Sequence, residues 1–181
     1  MKLMFIADIH GDLQCLEQAL DMFKKEAADY LIVLGDALYH GPRNPIPPGY
    51  APKEACERLN RFRDKIIAVR GNCDGEVDQM VLDYPMMGDY AVVLDQGRRF
   101  FLTHGHRYPV EQASLGAGDV YAYGHIHYPV CQRNDQGIFL FNPGSISMPK
   151  DKSVRSYGIC GEKVLSVKDL GGRTLLSLDM E

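Results

Sequence analysis

The 181-residue chain lacks a basic excess, a long apolar run and any pairing pattern among its cysteines, and each absence removes a class of protein. Its 20 Lys and Arg stand against 24 Asp and Glu, leaving a net charge of −4. That balance argues against a general nucleic-acid binder while leaving room for a localised basic pocket. No apolar run approaches the ~20 residues that span a membrane. The opening Met1–Ala7 is too short for a signal peptide, and Asp8 and His10 interrupt it. The cysteines (Cys15, Cys56, Cys73, Cys131, Cys160) are odd in number, scattered and without a C-x-x-C. They read as reduced thiols, most of them in the core of a soluble cytoplasmic protein. Linkers, low-complexity tracts and convincing repeats are also missing, so residues 1–181 read as one domain.

What is present begins with an apolar run, Leu3 to Ala7, that reads as a buried strand ending in Asp8-Ile9-His10-Gly11-Asp12. Residues two apart on a strand point the same way, so Asp8 and His10 can face one cavity. Leu13, Leu16, Leu20 and Phe23 then recur at helical spacing through Lys25. Asp12 stands either as N-cap of this helix or as a partner behind the site. Tyr30 to Leu34 is a second buried strand, ending in Gly35-Asp36 and completing a right-handed βαβ unit. Ala37 to Pro52 is a proline- and glycine-rich loop carrying His40, Arg43 and Asn44. A helix over Lys53–Arg63 and a strand over Lys65–Val69 lead to Arg70-Gly71-Asn72-Cys73-Asp74. The second half is strand-rich, with runs at Tyr90–Leu94, Phe100–Thr103, Val120–Tyr123, Ile138–Phe141, Tyr157–Cys160, Val164–Val167 and Thr174–Leu178. Only Glu111–Leu115 suggests a helical turn there. Two packed sheets with helices outside use this order well.

Seven side chains sit at or just beyond the C-terminal end of an apolar run: Asp8, His10, Asp36, Asn72, His104, His125 and His127. In open α/β sheets that edge is where ligands bind. The chain has six histidines, and four are in this set. Imidazole with carboxylate donors suits divalent transition metals.

In order and spacing, Asp8-x-His10, Gly35-Asp36, Gly71-Asn72, His104-Gly105 and Gly124-His125-x-His127 resemble the calcineurin-like metallophosphoesterase superfamily. Asn142-Pro143-Gly144-Ser145 is similar to its small bacterial and archaeal branch, and Gly41–Asn44 with Arg70–Asp74 resembles the YfcE-like phosphodiesterases. The resemblance implies a four-layer α/β/β/α sandwich and a metal-dependent phosphodiesterase acting on a small phosphodiester. One metal would be held by Asp8, His10, Asp36 and His127. The other would be held by Asp36, Asn72, His104 and His125, with Asp36 bridging. Two such ions share a hydroxide aimed in line at phosphorus. Mn2+ is the leading metal, with Fe, Co, Ni or Zn as alternatives. Asp8, His10, Asn72 and Cys73 are the catalytic candidates; Arg43, Asn72 and His106 are the substrate contacts. Two divalent ions, two aspartates, one hydroxide and one diester sum to zero, so the filled site buries no net charge.

One position departs from the wider superfamily. Cys73 stands where many members have a histidine that protonates the leaving oxygen, and a thiol is a poor acid for that task. Cys73 is expected to line the site without being the nucleophile. Asp74 is expected to cap a following short helix or to support the site, and His40 to be a solvated loop residue. Two other functions remain alternatives: a phosphomonoesterase on the same site, and a non-catalytic scaffold like the retromer subunit of similar fold. Homo-oligomerisation is compatible with the resemblance.

Overall fold

In the computed structural model, which describes residues 1–181, the first strand β1 (Leu3–Ile6) is buried on both faces. Met4 and Ile6 face one apolar layer and Leu3 and Phe5 another, which is why the run is continuous rather than alternating. Helix α1 (Leu13–Lys25) follows, capped by Asp12 accepting from the Cys15 N–H at 3.0 Å. The N-cap alternative for Asp12 is therefore the one realised. Strand β2 (Tyr30–Val33), helix α2 (Pro52–Asn60) and strand β3 (Ile66–Ala68) complete the βαβ half, with β1, β2 and β3 parallel. The predicted second helix ends three residues early, and Arg63–Lys65 turns as a 3-10 segment into β3.

The second half contributes β4 (Tyr90–Asp95), β5 (Arg98–Thr103), β6 (Val120–Ala122), β7 (Pro129–Arg133), β8 (Phe139–Pro143), β9 (Ser156–Gly161), β10 (Val164–Asp169) and β11 (Thr174–Asp179). They form two mixed sheets, ordered β11-β10-β9-β1-β2-β3 and β4-β5-β6-β8-β7. The inner faces meet in a core of Phe5, Leu34, Leu102, Ala122, Phe141 and their neighbours. On the outer face of the first sheet, Leu16, Leu20 and Phe23 of α1 and Ala55 and Leu59 of α2 close a second core. The four-layer order is present. The layer over the second sheet is thin, a loop with a 3-10 turn at Val110–Gln112 packed on Phe101 and Tyr121.

Two elements escape the sequence pattern. Helix α3 (Glu76–Val81) buries none of its residues, so it has no apolar face to announce it. Strand β7 starts on a proline and ends in exposed Gln132 and Arg133; as an edge strand it needs only one partner, β8.

Candidate metal centre

The chain leaves the parallel strands through backbone that ordinary side chains avoid. Asp8, His10, Asp36, His125 and His127 all have left-handed φ, between 49° and 72°. Each such residue costs about 1 kcal/mol or more, and strain of this kind collects where function requires it. Asp8 and His10 therefore face one cavity by two left-handed turns beyond the end of β1, not by strand alternation; β1 stops at Ile6. The turns of β2 and β3 lie against each other so closely that a β-carbon on Gly71 would collide with the Asp36 carboxylate and backbone nitrogen.

These turns bring the predicted ligands together. His127 Nε2 lies 3.3 Å from Asp8 Oδ1 and 3.4 Å from His10 Nε2. Asp36 Oδ2 lies between His10 Nε2 at 3.7 Å and His104 Nε2 at 3.5 Å. His104 Nε2 is also 3.1 Å from Asn72 Oδ1 and 4.0 Å from Asp8 Oδ1. The His125 ring stands 5.1 Å from that of His104, and its backbone N–H donates to Asp8 Oδ2 at 3.1 Å. Asp8, His10, Asp36, His104 and His127 are buried; His125 is half-buried and Asn72 exposed toward the opening.

The remaining nitrogens of three imidazoles are tied to backbone carbonyls: His10 Nδ1 to Tyr39 at 2.9 Å, His104 Nδ1 to Leu34 and His127 Nδ1 to Met148, both at 2.7 Å. A carbonyl only accepts, so each Nδ1 carries the proton and each Nε2 turns a lone pair inward. Asp8 Oδ1, buried at the centre, has no hydrogen-bond partner. An orphaned carboxylate oxygen facing inward-directed imidazole lone pairs fits divalent cations, and the nitrogen and oxygen donors match transition metals.

Electrostatics points the same way. Burial pushes the Asp8 carboxyl up to about 7, with the nearby Asp36 charge adding to the effect. Burial also opposes the charge on Asp36, but the His104 bond and charge and the Cys73 N–H, at 2.7 Å, outweigh it and hold Asp36 well below the usual carboxylate range. His104 gains the complementary benefit: burial opposes its charge, yet Asp36 and Asp8 carry it up to about 9. Burial lowers His10, His125 and His127, the last to about 4. Two buried carboxylates thus draw a positive charge to this point, and a metal ion competes with the His104 proton for the same lone pair.

The centre opens into a cavity of about 840 Å3 whose wall includes Arg43, Asn44, Cys73 and His106. Arg43 and His106 thus lie where substrate contacts were expected. Arg70 is turned to the loop instead, its Nε donating to the Asp74 carbonyl at 3.2 Å. The Cys73 thiol accepts from Asn72 Nδ2 at 3.2 Å, and burial, then the charge of Asp36, pushes it up to about 12. It is a weaker acid than a free thiol. His40 is not simply solvated: its ring packs between Tyr39 and Tyr50 at 4.8 and 5.0 Å. Asp74 is not a helix cap, since Gly75 begins α3. Its buried carboxylate instead accepts from the N–H groups of Asp36, Ala37 and Gly71, at 2.8, 2.8 and 2.7 Å, bracing the two ligand turns.

Three contributors had no sequence reading. Ser145 and Ser147 hydroxyls both donate to the Asp8 carbonyl at 2.8 Å, holding its strained turn; the Asn142–Ser145 motif was the available signal. Lys150 lines the cavity with no motif to mark it.

Phosphodiesterase YfcE of Escherichia coli K12 is 48% identical over 178 residues, covering 98% of this chain and 96% of the relative. The solved structure of the E. coli YfcE phosphoesterase superposes with a TM-score of 0.97 at 47% identity, each chain covered completely. Phosphodiesterase MJ0936 of Methanocaldococcus jannaschii is 26% identical over 152 residues, 80% of this chain and 83% of the relative. The calcineurin-like phosphoesterase superfamily domain matches residues 1–163, and with the YfcE identity it shows that the chain belongs to the calcineurin-like phosphoesterase superfamily.

Proposed function

We propose that the protein is a metal-dependent phosphodiesterase, hydrolysing phosphoric diesters at a centre of two divalent metal ions. The observation that carries this reading is the convergence of His10, His104 and His127 Nε2 on the Asp8 and Asp36 carboxylates, with each Nδ1 committed to a carbonyl. Asp8, His10, Asp36 and His127 would hold one ion, and Asp36, Asn72, His104 and His125 the other. Mn2+ suits a donor set of nitrogen and oxygen. Bound there, such ions neutralise charge on phosphate oxygens and activate water.

The chain's own groups do the positioning. Ser145, Ser147 and the His125 N–H fix Asp8; Asp74 and the Cys73 N–H fix Asp36. Asn72, at the cavity wall, presents its amide to the phosphate. Arg43 and His106 stand on the same wall for the substrate's outer atoms, and Cys73 lines it as a neutral thiol. The naming of the 48%-identical relative as a phosphodiesterase supports diesters over monoesters. Five unpaired thiols suit the reducing cytoplasm, where we place the enzyme; no helix is long and apolar enough to cross a membrane.

The test is to strip the protein with a chelator, restore one metal at a time, and measure metal content beside hydrolysis of bis-p-nitrophenyl phosphate and p-nitrophenyl phosphate. Metal-restored activity that prefers the diester is expected, greatest with Mn2+. A monoester preference would make the protein a phosphatase. Two bound ions with no activity would favour a scaffold.

A further inference from the structure

The cavity over the metal centre has a charge the reacting group does not use. Asp36 is the one acid on its wall, and Arg43 and Lys150 are its lysine and arginine side chains. Neither cation is in an ion pair. With two divalent ions, Asp8, Asp36, a hydroxide and one diester summing to zero, Arg43 and Lys150 leave two positive charges over.

Both cations are seated by the loops that build the centre. The backbone N–H of Lys150 donates to the His127 carbonyl at 3.0 Å, and Ser153 holds the Lys150 carbonyl through its hydroxyl at 2.6 Å and its N–H at 3.0 Å. Arg43 follows Gly41, whose missing β-carbon lets the loop close on the site; one placed there would stand 2.8 Å from Cys73 Sγ. Asn44 Nδ2 then fastens the turn by donating to the His40 carbonyl at 2.9 Å. Arg43 and Lys150 thus line one cavity, beside His125, from two different loops.

We propose that Arg43 and Lys150 form an outer anion subsite, and that the preferred substrates are phosphodiesters carrying a second phosphate away from the bond that breaks. This rests on the diesterase reading above. A phosphate monoester brings about −1.5 to −2 charges at neutral pH, matching the two left over. A cavity of about 840 Å3 holds a nucleotide-sized molecule.

The test compares thymidine 5′-(p-nitrophenyl phosphate) with the same ester phosphorylated on its 3′ oxygen, in the Mn2+-restored enzyme. The two share the cleaved bond and leaving group. The 3′-phosphorylated ester is expected to show a KM about tenfold lower, and this advantage is expected to shrink as ionic strength rises. Lys150→Ala and Arg43→Ala each reduce the advantage by about threefold or more, Lys150→Arg restores it, and Lys152→Ala, which removes an exposed charge two residues away, leaves it intact. Equal KM for the two esters, or an equal loss on both in Lys150→Ala, would overturn the proposal. If neither ester is cleaved, the diesterase reading fails separately. Calorimetry then decides the subsite: thymidine 3′,5′-bisphosphate binding about tenfold tighter than thymidine 5′-phosphate supports it, and equal binding overturns it.

Discussion

Strand β1 has carboxylate chemistry beyond each end, a half-buried glutamate before it and the buried Asp8 after it, and the two are opposites. Before it, Glu26 accepts from Lys2 Nζ at 2.8 Å, Lys168 Nζ at 2.6 Å and Tyr157 Oη at 3.1 Å. Burial works against its charge, but these donors win and hold its pKa at about 2. After it, Asp8 has one oxygen with no partner and a pKa raised by burial to about 7. The same residue class in the same sheet is satisfied at one end and left wanting at the other. A satisfied cluster supports the fold; an unsatisfied one with converging lone pairs is a site that something else completes.

That contrast can be broken from either end. The largest effect is expected at the unsatisfied one. Asp8→Asn should lower diesterase activity about a thousandfold, the upper end for losing one preorganised electrostatic group. In the chelated protein it should leave Tm unchanged or raise it by about 2–4 °C, because a buried carboxylate whose Oδ1 has no hydrogen-bond partner loses its charge. Scanning calorimetry in chelator checks this, and a large fall in Tm would mean that Asp8 is a structural residue.

Next comes Gly71→Ala, which forces the β2 and β3 turns apart. Activity should fall about a hundredfold and stability by about 3 kcal/mol, read by urea unfolding beside the ester assay. Ser147→Ala removes one of two hydroxyls on the Asp8 carbonyl, and metal affinity should fall about tenfold in a calorimetric titration. The same loss from an exposed serine away from the site, such as Ser177 on β11, would refute this role.

The smallest effect on activity, none per folded molecule, belongs to Glu26→Gln. Stability should fall by about 2 kcal/mol at pH 7. Glu26 has a folded pKa of about 2 against an ordinary 4.5, so its contribution is complete above about pH 5 and is lost as pH falls toward 2. Urea unfolding of wild type and variant should therefore converge in acid. A difference that persists at pH 2 would mean the loss comes from packing rather than charge.

Most of the fold was legible because burial writes itself into sequence. Helix α1 has its predicted bounds, since an apolar face of 3.6 period and a capping aspartate mark both its register and its start. Apart from β7, the strands of the second sheet lie within about two residues of their apolar runs, the limit expected for element ends. Strand β7, which buries little, wrote nothing, and of helix α3 only a short helix after Asp74 was anticipated, without bounds. Among the functional residues, the seven strand-end candidates all line or flank one centre. Asp74 was readable only as one of two alternatives, a cap or a support for the site, and the roles of Ser147 and Lys150 were not readable, because they depend on neighbours the fold brings in.

By itself, then, the chain determined which residues are buried, where strands stop and which chemistry-bearing side chains stand at those stops. These are local properties of composition and spacing. Only the tertiary structure decided that Asp8 and His10 converge through left-handed turns, that His10, His104 and His127 present Nε2, and that Asp74 joins two loops. It also brought Lys150 and Arg43 to one cavity. The reason is physical: tautomer, strain and field are set by atoms a few ångströms away, and in this fold those atoms come from loops far apart in sequence, Asp8 and Ser147 being separated by 139 residues.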